Sequence, residues 1–188
     1  MRAKNWIEPV RPDPEVVASL ARTLQVPLVV ARVLAGRGKT DPDEARAFLT
    51  PDLNQLSSPR LLAGADQAIA RLLRAIRDRE KVLVFGDFDV DGVTGTTLAV
   101  RTLRELGADV DFLMPKRLVH GYGLSMKVLP DVIGRKPALV VTVDCGIRSV
   151  DEVAALSAEG IDTIITDHHS PGPELPPAVA VVDPKRAD

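Results

Sequence analysis

The sequence has little cysteine, few aromatic residues and no long apolar run. Its 188 residues include one cysteine, Cys145, which excludes an internal disulfide and suits a reducing compartment. No stretch approaches the roughly 18 consecutive apolar residues of a membrane span. The N-terminus also lacks the apolar segment of a signal peptide. We therefore expect a cytoplasmic protein with no membrane partner.

An excess of charge of one sign is also missing. The formal net charge is −2 at pH 7, so the chain is not a globally basic nucleic-acid binder, although a local basic groove remains possible. Neither GxGxxG nor GxxxxGK[ST] occurs, so dinucleotide-fold and P-loop interpretations lack their phosphate loops. Apolar residues make up 45% of the chain, which is enough for one sizeable core.

The first part of the chain carries helical patterns. PEVVASLARTL and LVVARVLAGRG have apolar residues at helical spacing, and Asp41 with Glu44 forms a capping pattern before a third helix. A fourth segment, ADQAIARLLRAIRDRE, predicts a helix whose arginines, Arg71 among them, form a solvated face opposite Ile69, Leu72, Leu73 and Ile76. We expect residues 1–62 to form a helical N-terminal lead-in.

From residue 81 the pattern changes to short apolar runs rich in valine and isoleucine. These runs are KVLVFGD, ADVDFLM, ALVVTVD, DTIIT and AVAVVD, and helical stretches separate the first four. Alternation of buried strands and helices is typical of a parallel sheet covered on both faces. We therefore predict an α/β fold, a parallel β-sheet flanked by helices, over residues 63–188.

Acidic and histidine residues follow three of the predicted strands. They are Asp87, Asp89 and Asp91 after the first, Asp144 at the end of the third, and Asp167, His168 and His169 after the fourth. Ligands of open α/β sheets bind at the carboxyl ends of strands, so these groups are expected to converge. Carboxylates with imidazole suit manganese, iron or zinc, and this many ligands suits two ions about 4 Å apart.

Other interpretations of these residues compete with a two-metal site. DFDVDG begins like an EF-hand loop, but the twelfth position is Leu98 and a strand precedes it, which excludes that calcium site. A single aspartate after a strand is often a turn or helix cap, and a plain metal-binding α/β module stays open. The joint occurrence of the three clusters favours a site.

DFDVDG, VDCG and TDHH resemble the first three motifs of the DHH phosphoesterase superfamily. VLVFGDFDVDGVTGTTLAV, PKRLVHGYGLS, LVVTVDCGI and IITDHHSPGPELPPAVAVVDPK are similar to the RecJ family of bacterial 5′-to-3′ single-strand DNA exonucleases. The resemblance covers nearly the whole chain, the lead-in included. It implies hydrolysis of DNA phosphodiesters in repair and recombination, with two Mn²⁺ or Mg²⁺ ions as cofactors.

The resemblance also implies roles for individual residues. Metal ligands are implied at Asp87, Asp89, Asp91, Asp144 and His168. Asp144 is expected to bridge both ions and counts as catalytic. His169 is expected to meet the scissile phosphate as a catalytic and substrate-binding residue, or alternatively to ligate a metal ion. Asp167 is expected to orient a histidine. One usual superfamily ligand, a histidine four residues before Asp89, is replaced here by Phe85.

Substrate contacts are expected from the segment PKRLVHGYGLS. Arg117 and the backbone around Gly121 are candidates for steering a DNA strand, and Tyr122 is the aromatic residue expected near a nucleotide. Phe85 and Phe88 are expected in the core.

The superfamily's fourth-motif aspartate, a DHHA1 domain and an OB-like domain are expected beyond this sequence. The chain is accordingly expected to be a catalytic-domain fragment that binds metal but has weak or absent nuclease activity, and Asp183 is expected to be structural. Single-stranded DNA is the expected partner, with single-strand binding protein and recombination or helicase proteins docking on the absent domains. Alternatives are a DHH enzyme acting on short oligonucleotides, cyclic dinucleotides or pyrophosphate, and an inactive replication scaffold.

Overall fold

A computed structural model describes residues 11–186 as two units, 11–57 and 58–186. The expected division between residues 62 and 63 stays a prediction. Residues 1–10, on which the signal-peptide expectation bears, lie outside the described part. Between residues 11 and 186, no helix combines the length and apolar character needed to cross a membrane.

The first unit contains the three predicted helices, α1 (Pro14–Leu24), α2 (Leu28–Gly36) and α3 (Pro42–Leu49), followed by a 3₁₀ turn at Leu53–Gln55. As predicted, Asp41 caps α3, because its carboxylate accepts hydrogen bonds from the backbone N–H groups of Asp43 and Glu44. Small and branched side chains form the core of this unit: Val17, Leu20, Ala31, Leu34, Ala35 and Ala45.

The second unit is the predicted α/β domain, and the fold class is confirmed. Its five strands are all parallel and run in the order β2-β1-β3-β4-β5. The elements are a 3₁₀ turn at Pro59–Leu61, α4 (Ala65–Arg77), β1 (Lys81–Gly86), α5 (Val90–Glu105), β2 (Asp109–Leu113), α6 (Arg117–His120), α7 (Leu129–Gly134), β3 (Leu139–Val143), α8 (Val150–Ala158), β4 (Asp162–Thr166) and β5 (Ala180–Val182).

Both faces of the sheet are covered, as its continuous apolar strands require. Alternate residues of β1 point to opposite faces: Val82 and Val84 pack with α4 and α5, and Leu83 and Phe85 pack with α7 and α8. The burial of Phe85 agrees with its expected core position. The sheet is therefore the middle of three layers, and its strand ends are left to build a site.

The register of the sheet sets four aspartates in one row. Gly86 pairs with Val143, Val143 with Thr166, and Thr166 with Val182. The residue after each of these strand ends is an aspartate, which gives the row Asp87, Asp144, Asp167 and Asp183. Backbone hydrogen bonds continue the pairing into the row, from Asp144 N to Thr166 O (3.0 Å) and from Asp167 N to Val182 O (3.1 Å). The chain also reverses its direction across the sheet between β1 and β3, where ligands bind in such folds.

The predicted faces of α4 are wrong in part. Arg71 is 4% exposed and pairs with Asp162 (Nε to Oδ2, 2.5 Å) and Glu80 (Nη2 to Oε2, 2.6 Å), so it does not belong to a solvated face. Leu73, expected on the apolar face, is 59% exposed. The small residues Ala68 and Ala75 face the sheet instead, because they allow the helix to pack closely against the strands.

Candidate metal centre

The DFDVDG motif is a strand end that turns directly into a helix. Helix α5 begins at Val90, four residues after the end of β1, because Asp89 caps it. Asp89 Oδ1 accepts hydrogen bonds from the N–H groups of Asp91 and Gly92, both at 3.1 Å. The Gly92 hydrogen bond is the largest cause of the lowered pKa of Asp89. The motif therefore holds one carboxylate ionised at a helix start.

A glycine allows this helix to approach the end of β1. A Cβ on Gly92 would lie 2.3 Å from the carbonyl oxygen of Asp87 and 2.6 Å from its backbone nitrogen. No side chain fits there without moving the backbone. Gly92 is thus a site-building residue that sequence reasoning missed, although its place in DFDVDG marked it.

Asp87 and Asp144 are buried carboxylates with unsatisfied oxygens. Asp87 is 0% exposed, and neither of its oxygens accepts a hydrogen bond from residues 11–186. The same holds for Oδ1 of Asp144, which is 7% exposed. Burial, and then the nearby charge of Asp89, raise the pKa of Asp144. Buried carboxylate oxygens without donors are costly, and a cation would offset that cost.

The backbone of Asp144 is strained. Its φ of 62° lies in the left-handed region, which non-glycine residues rarely adopt. Such strain persists only where the surrounding structure holds it, and it clusters at functional sites. Here it brings the carboxylate toward the loop after β4.

Two histidines complete the cluster around Asp144. His168 Nδ1 lies 3.3 Å from Asp144 Oδ1, and His169 Nδ1 lies 4.0 Å from the same oxygen. The two imidazole rings stack, with centroids 4.7 Å apart. One ligand atom from each of Asp144, His168 and His169 falls within 4.8 Å of the others, a spacing that can hold one divalent ion.

Asp167 orients His169, as expected. Its Oδ1 accepts the hydrogen bonds of His169 Nδ1 (2.7 Å), His169 N (3.1 Å) and His168 N (2.7 Å), and its Oδ2 accepts from Ile147 N (3.0 Å). Burial raises the pKa of Asp167, but these hydrogen bonds outweigh burial and leave it below its ordinary value. The hydrogen bond to Asp167 is also the main reason that the pKa of His169 is raised.

An aromatic and cationic rim lies beside His169. The Tyr122 hydroxyl is 3.3 Å from His169 Nε2, and the Phe88 ring meets Tyr122 edge-on with centroids 6.2 Å apart. Burial, and then the charge of Asp87, raise the pKa of Tyr122 to about 12, so its hydroxyl stays protonated. The Arg117 guanidinium lies 5.0 Å from the centroid of the Phe88 ring. Gly121, with a φ of 83°, turns the chain between Arg117 and Tyr122.

Phe88 does not lie in the core, which corrects the prediction for it. Its side chain is half-buried and supports the rim through Arg117 and Tyr122. Side chains alternate in direction just beyond the end of β1, and Phe88 lies on the opposite side from the buried Asp87. This alternation in the sequence could have indicated that Phe88 lies outside the core.

The remaining candidates lie farther from the cluster. Asp91 is exposed in the first turn of α5 and lines a shallow cleft together with Asp144 and His168. Asp183 is buried at the end of the row, where its Oδ1 accepts a hydrogen bond from Lys185 N (2.7 Å). The third histidine, His120, is buried 3.5 Å from Asp131, which indicates a structural role.

The donor set fits a hard or borderline divalent ion. Its buried carboxylate oxygens, which accept no hydrogen bond from residues 11–186, are ligands that suit Mg²⁺ and Mn²⁺, and the two imidazoles beside them favour Mn²⁺ of the two. The individual roles of the site residues stay predictions.

Comparison with known proteins agrees with this geometry. Residues 81–188 match the model of the DHH family, N-terminal domain. The chain is 40% identical over 176 residues to the single-stranded-DNA-specific exonuclease RecJ of Bacillus subtilis, covering 94% of this chain and 22% of that protein. It is 38% identical to RecJ of Escherichia coli over 165 residues, covering 87% of this chain and 28% of that protein.

A solved structure shares the fold. The structure of RecJ in complex with Mn²⁺ from Thermus thermophilus has a TM-score of 0.67 and 34% identity, covering 93% of this chain and 24% of that one. The chain thus spans about a quarter of the length of the relatives it matches.

Proposed function

The chain belongs to the DHH family, and from this premise we propose that it carries the catalytic site of a metal-dependent 5′-to-3′ exonuclease for single-stranded DNA. The observation that supports this most is the cluster of Asp144, His168 and His169 at the carboxyl ends of β3 and β4, next to the switch point between β1 and β3. Its similarity to proteins named as single-stranded-DNA-specific exonucleases supports the substrate class. The 5′-to-3′ polarity, a role in DNA repair and recombination, and a cytoplasmic location are proposed from the family resemblance of the motifs.

The residues proposed to hold two Mn²⁺ or Mg²⁺ ions are Asp87, Asp89, Asp91, Asp144 and His168. Bound ions would supply positive charge for the phosphate and lower the pKa of an attacking water. Two features of the chain suit bound cations: the helix cap keeps Asp89 ionised, and both oxygens of Asp87 and Oδ1 of Asp144 accept no hydrogen bond from residues 11–186. Asp144 lies between the aspartates that follow β1 and the two histidines that follow β4. That place suits a residue that would ligate both ions.

His169 is proposed to contact the scissile phosphate. Because Asp167 Oδ1 accepts a hydrogen bond from His169 Nδ1–H, the ring orientation is fixed and Nε2 is the atom left for the substrate. The raised pKa of His169 increases its protonated fraction near neutral pH, so Nε2 can donate a proton to a phosphate oxygen or to the departing oxygen. Tyr122, 3.3 Å from Nε2, holds that position when no substrate is bound.

Arg117, Gly121 and Tyr122 are proposed to guide the DNA strand. Arg117 offers a cation and Tyr122 an exposed ring, the combination that single-strand binding uses. Single-strand binding protein and recombination or helicase proteins stay proposals as partners.

A nuclease assay under single-turnover conditions tests this function. The chain, in excess over end-labelled DNA and with Mn²⁺ present, is expected to release mononucleotides from the 5′ end of single strands and to spare duplexes. Strand affinity should fall with added salt, as phosphate contacts require. Asp144→Asn is the inactive control.

Two outcomes would contradict the proposal. Release from dinucleotides or cyclic dinucleotides but not from longer strands would indicate a small-substrate DHH enzyme. Manganese binding by the full-length protein without turnover on any of these substrates would indicate a scaffold.

A further inference from the structure

We propose that a second cleft beside His169, here called the α8 cleft, binds the nucleoside attached to the phosphate that His169 meets. This inference rests on the proposed function and names the subsite that function would use. The α8 cleft is formed by residues 122–125, residues 145–149, Glu152, Asp167, His169 and Ser170, and its volume is about 590 Å³. Ligand sites in proteins commonly measure about 300–1,000 Å³.

The position of the α8 cleft relates it to the metal cluster. His168 lines the shallow cleft that also contains Asp91 and Asp144, whereas the neighbouring His169 lines the α8 cleft. Asp167 borders both. A phosphate held at the histidine pair would therefore have the metal ligands on one side and the α8 cleft on the other. A nucleoside ester of that phosphate has the α8 cleft as its nearest enclosed space.

The polar groups of the α8 cleft are held in place and present acceptors. The Ser125 and Ser149 hydroxyls donate to backbone carbonyls at 2.8 and 2.9 Å, which leaves their oxygen lone pairs to accept. Arg148 Nε donates to the carbonyl of Ser170 at 2.8 Å and so fixes the loop that follows His169. Nucleobase amino and ring N–H groups are the donors that match such acceptors.

Glu152 is the residue that most favours a nucleoside over a phosphate as the ligand of the α8 cleft. It lies half-buried in the first turn of α8, and its carboxylate forms no hydrogen bond or ion pair with residues 11–186. A carboxylate accepts from an exocyclic base amine such as cytosine N4, and it repels phosphate. With Arg148 as the one lysine or arginine lining the cleft, the lining has no excess of positive charge to retain a phosphate. The charge balance therefore favours the nucleoside over a second phosphate group.

A pair of variants on one helix turn tests the α8 cleft. Glu152→Leu removes the acceptor, and Asp151→Leu removes the adjacent exposed acid, which is outside the cleft. Both changes take one negative charge from the start of α8, so their effects on the helix match. Binding of deoxycytidine 5′-monophosphate and of inorganic phosphate is measured by calorimetry with Mn²⁺ present, after circular dichroism has shown that each variant is folded.

We expect the wild type to bind the nucleotide about tenfold or more tightly than phosphate, because the base would add contacts with the α8 cleft. Glu152→Leu should lose about tenfold for the nucleotide and keep its phosphate affinity, because the variant loses a charged hydrogen-bond acceptor. Asp151→Leu should change neither affinity. In NMR spectra, the nucleotide but not phosphate should shift the amide signals of Gly123, Ser149 and Ser170.

The outcomes separate this inference from the proposed function. If phosphate binds but the nucleotide has no advantage, or if the two leucine variants behave alike, the α8 cleft is not the nucleoside site while the phosphodiesterase proposal stands. If neither ligand binds the wild type with Mn²⁺, both proposals fall.

Discussion

The two ends of the central sheet differ in whether their carboxylates have a cationic partner in the protein. At the amino end, Arg71 lies between Glu80 and Asp162, with contacts of 2.6 and 2.5 Å, so each carboxylate has a guanidinium partner. At the carboxyl end, Asp87 accepts no hydrogen bond from residues 11–186, and the cationic partners found for Asp144 in that range are two histidines. Charges that the chain neutralises itself stabilise the fold. Charges left open are available to a ligand.

The largest effect is expected at the amino end. Arg71→Ala would remove a buried side chain and leave two partly exposed carboxylates without their shared cation, so we expect a loss of about 3 kcal/mol in the free energy of unfolding. Urea denaturation measures the loss. Arg74→Ala is the matched control, because Arg74 is half-exposed and its contact with Asp162 is 3.3 Å; its cost should stay below about 1 kcal/mol. Equal losses would mean that burial of Arg71 does not matter.

At the carboxyl end, Asp144→Asn should weaken manganese binding without weakening the fold. Asparagine tolerates the left-handed backbone and carries no buried charge, so the metal-free variant should unfold at the same or a higher urea concentration. Manganese affinity should fall about 100-fold, or about 2.7 kcal/mol, in a calorimetric titration. Asp109→Asn, an exposed change at the start of β2, should leave affinity unchanged. Equal heats of manganese binding for the wild type and Asp144→Asn would show that Asp144 is not a metal ligand.

A substitution that adds one methyl group, Gly92→Ala, tests the close approach of α5 to the end of β1. Gly92→Ala would normally favour a helix, but its Cβ would lie 2.3 Å from Asp87 O, so we expect a loss of about 2 kcal/mol and weaker manganese binding. Gly134→Ala meets nothing within 4 Å and should be neutral or stabilising by up to about 1 kcal/mol. Thermal unfolding measures the stability of both variants. A Gly92→Ala variant more stable than the wild type would contradict the close approach of α5 to β1.

The smallest change concerns the protonation of His169. Asp167→Asn removes the main cause of its raised pKa, so the pKa of His169 should fall in an NMR titration of the metal-free protein. A raised pKa in the folded state stabilises the protein below the unfolded value of about 6.5. The difference in stability between wild type and variant should therefore narrow as pH rises through the pKa of His169. Asp151→Asn should leave that pKa unchanged.

Much of this arrangement could be predicted from local patterns. The alternation of apolar strands with helical stretches predicted the α/β fold. Helical spacing predicted α1 and α2, and the Asp41 cap predicted α3. The family motifs identified the residues that the structure places around Asp144. These signals are local because caps and periodicity depend on neighbouring residues.

Long-range contacts were the part that local patterns missed. Arg71 was misplaced because its partners Glu80 and Asp162 come together only when α4 packs on the sheet. Phe88 was misplaced because its neighbour Tyr122 arrives from another loop. Asp183 joins the aspartate row only through the pairing of β4 with β5.

The register of the strands therefore fixes how the four aspartates of that row are positioned relative to one another. Adjacent strands lie about 4.8 Å apart, and one residue advances a strand by about 3.3 Å while reversing its side chains. A single-residue insertion inside β1 or β3 would therefore move Asp87 or Asp144 out of line and onto the wrong face. Insertions in connections away from the strand ends, such as the turn after α4 or α8, leave the row intact. In descendants of this chain, length variation should accumulate in those turns and be nearly absent from the strands.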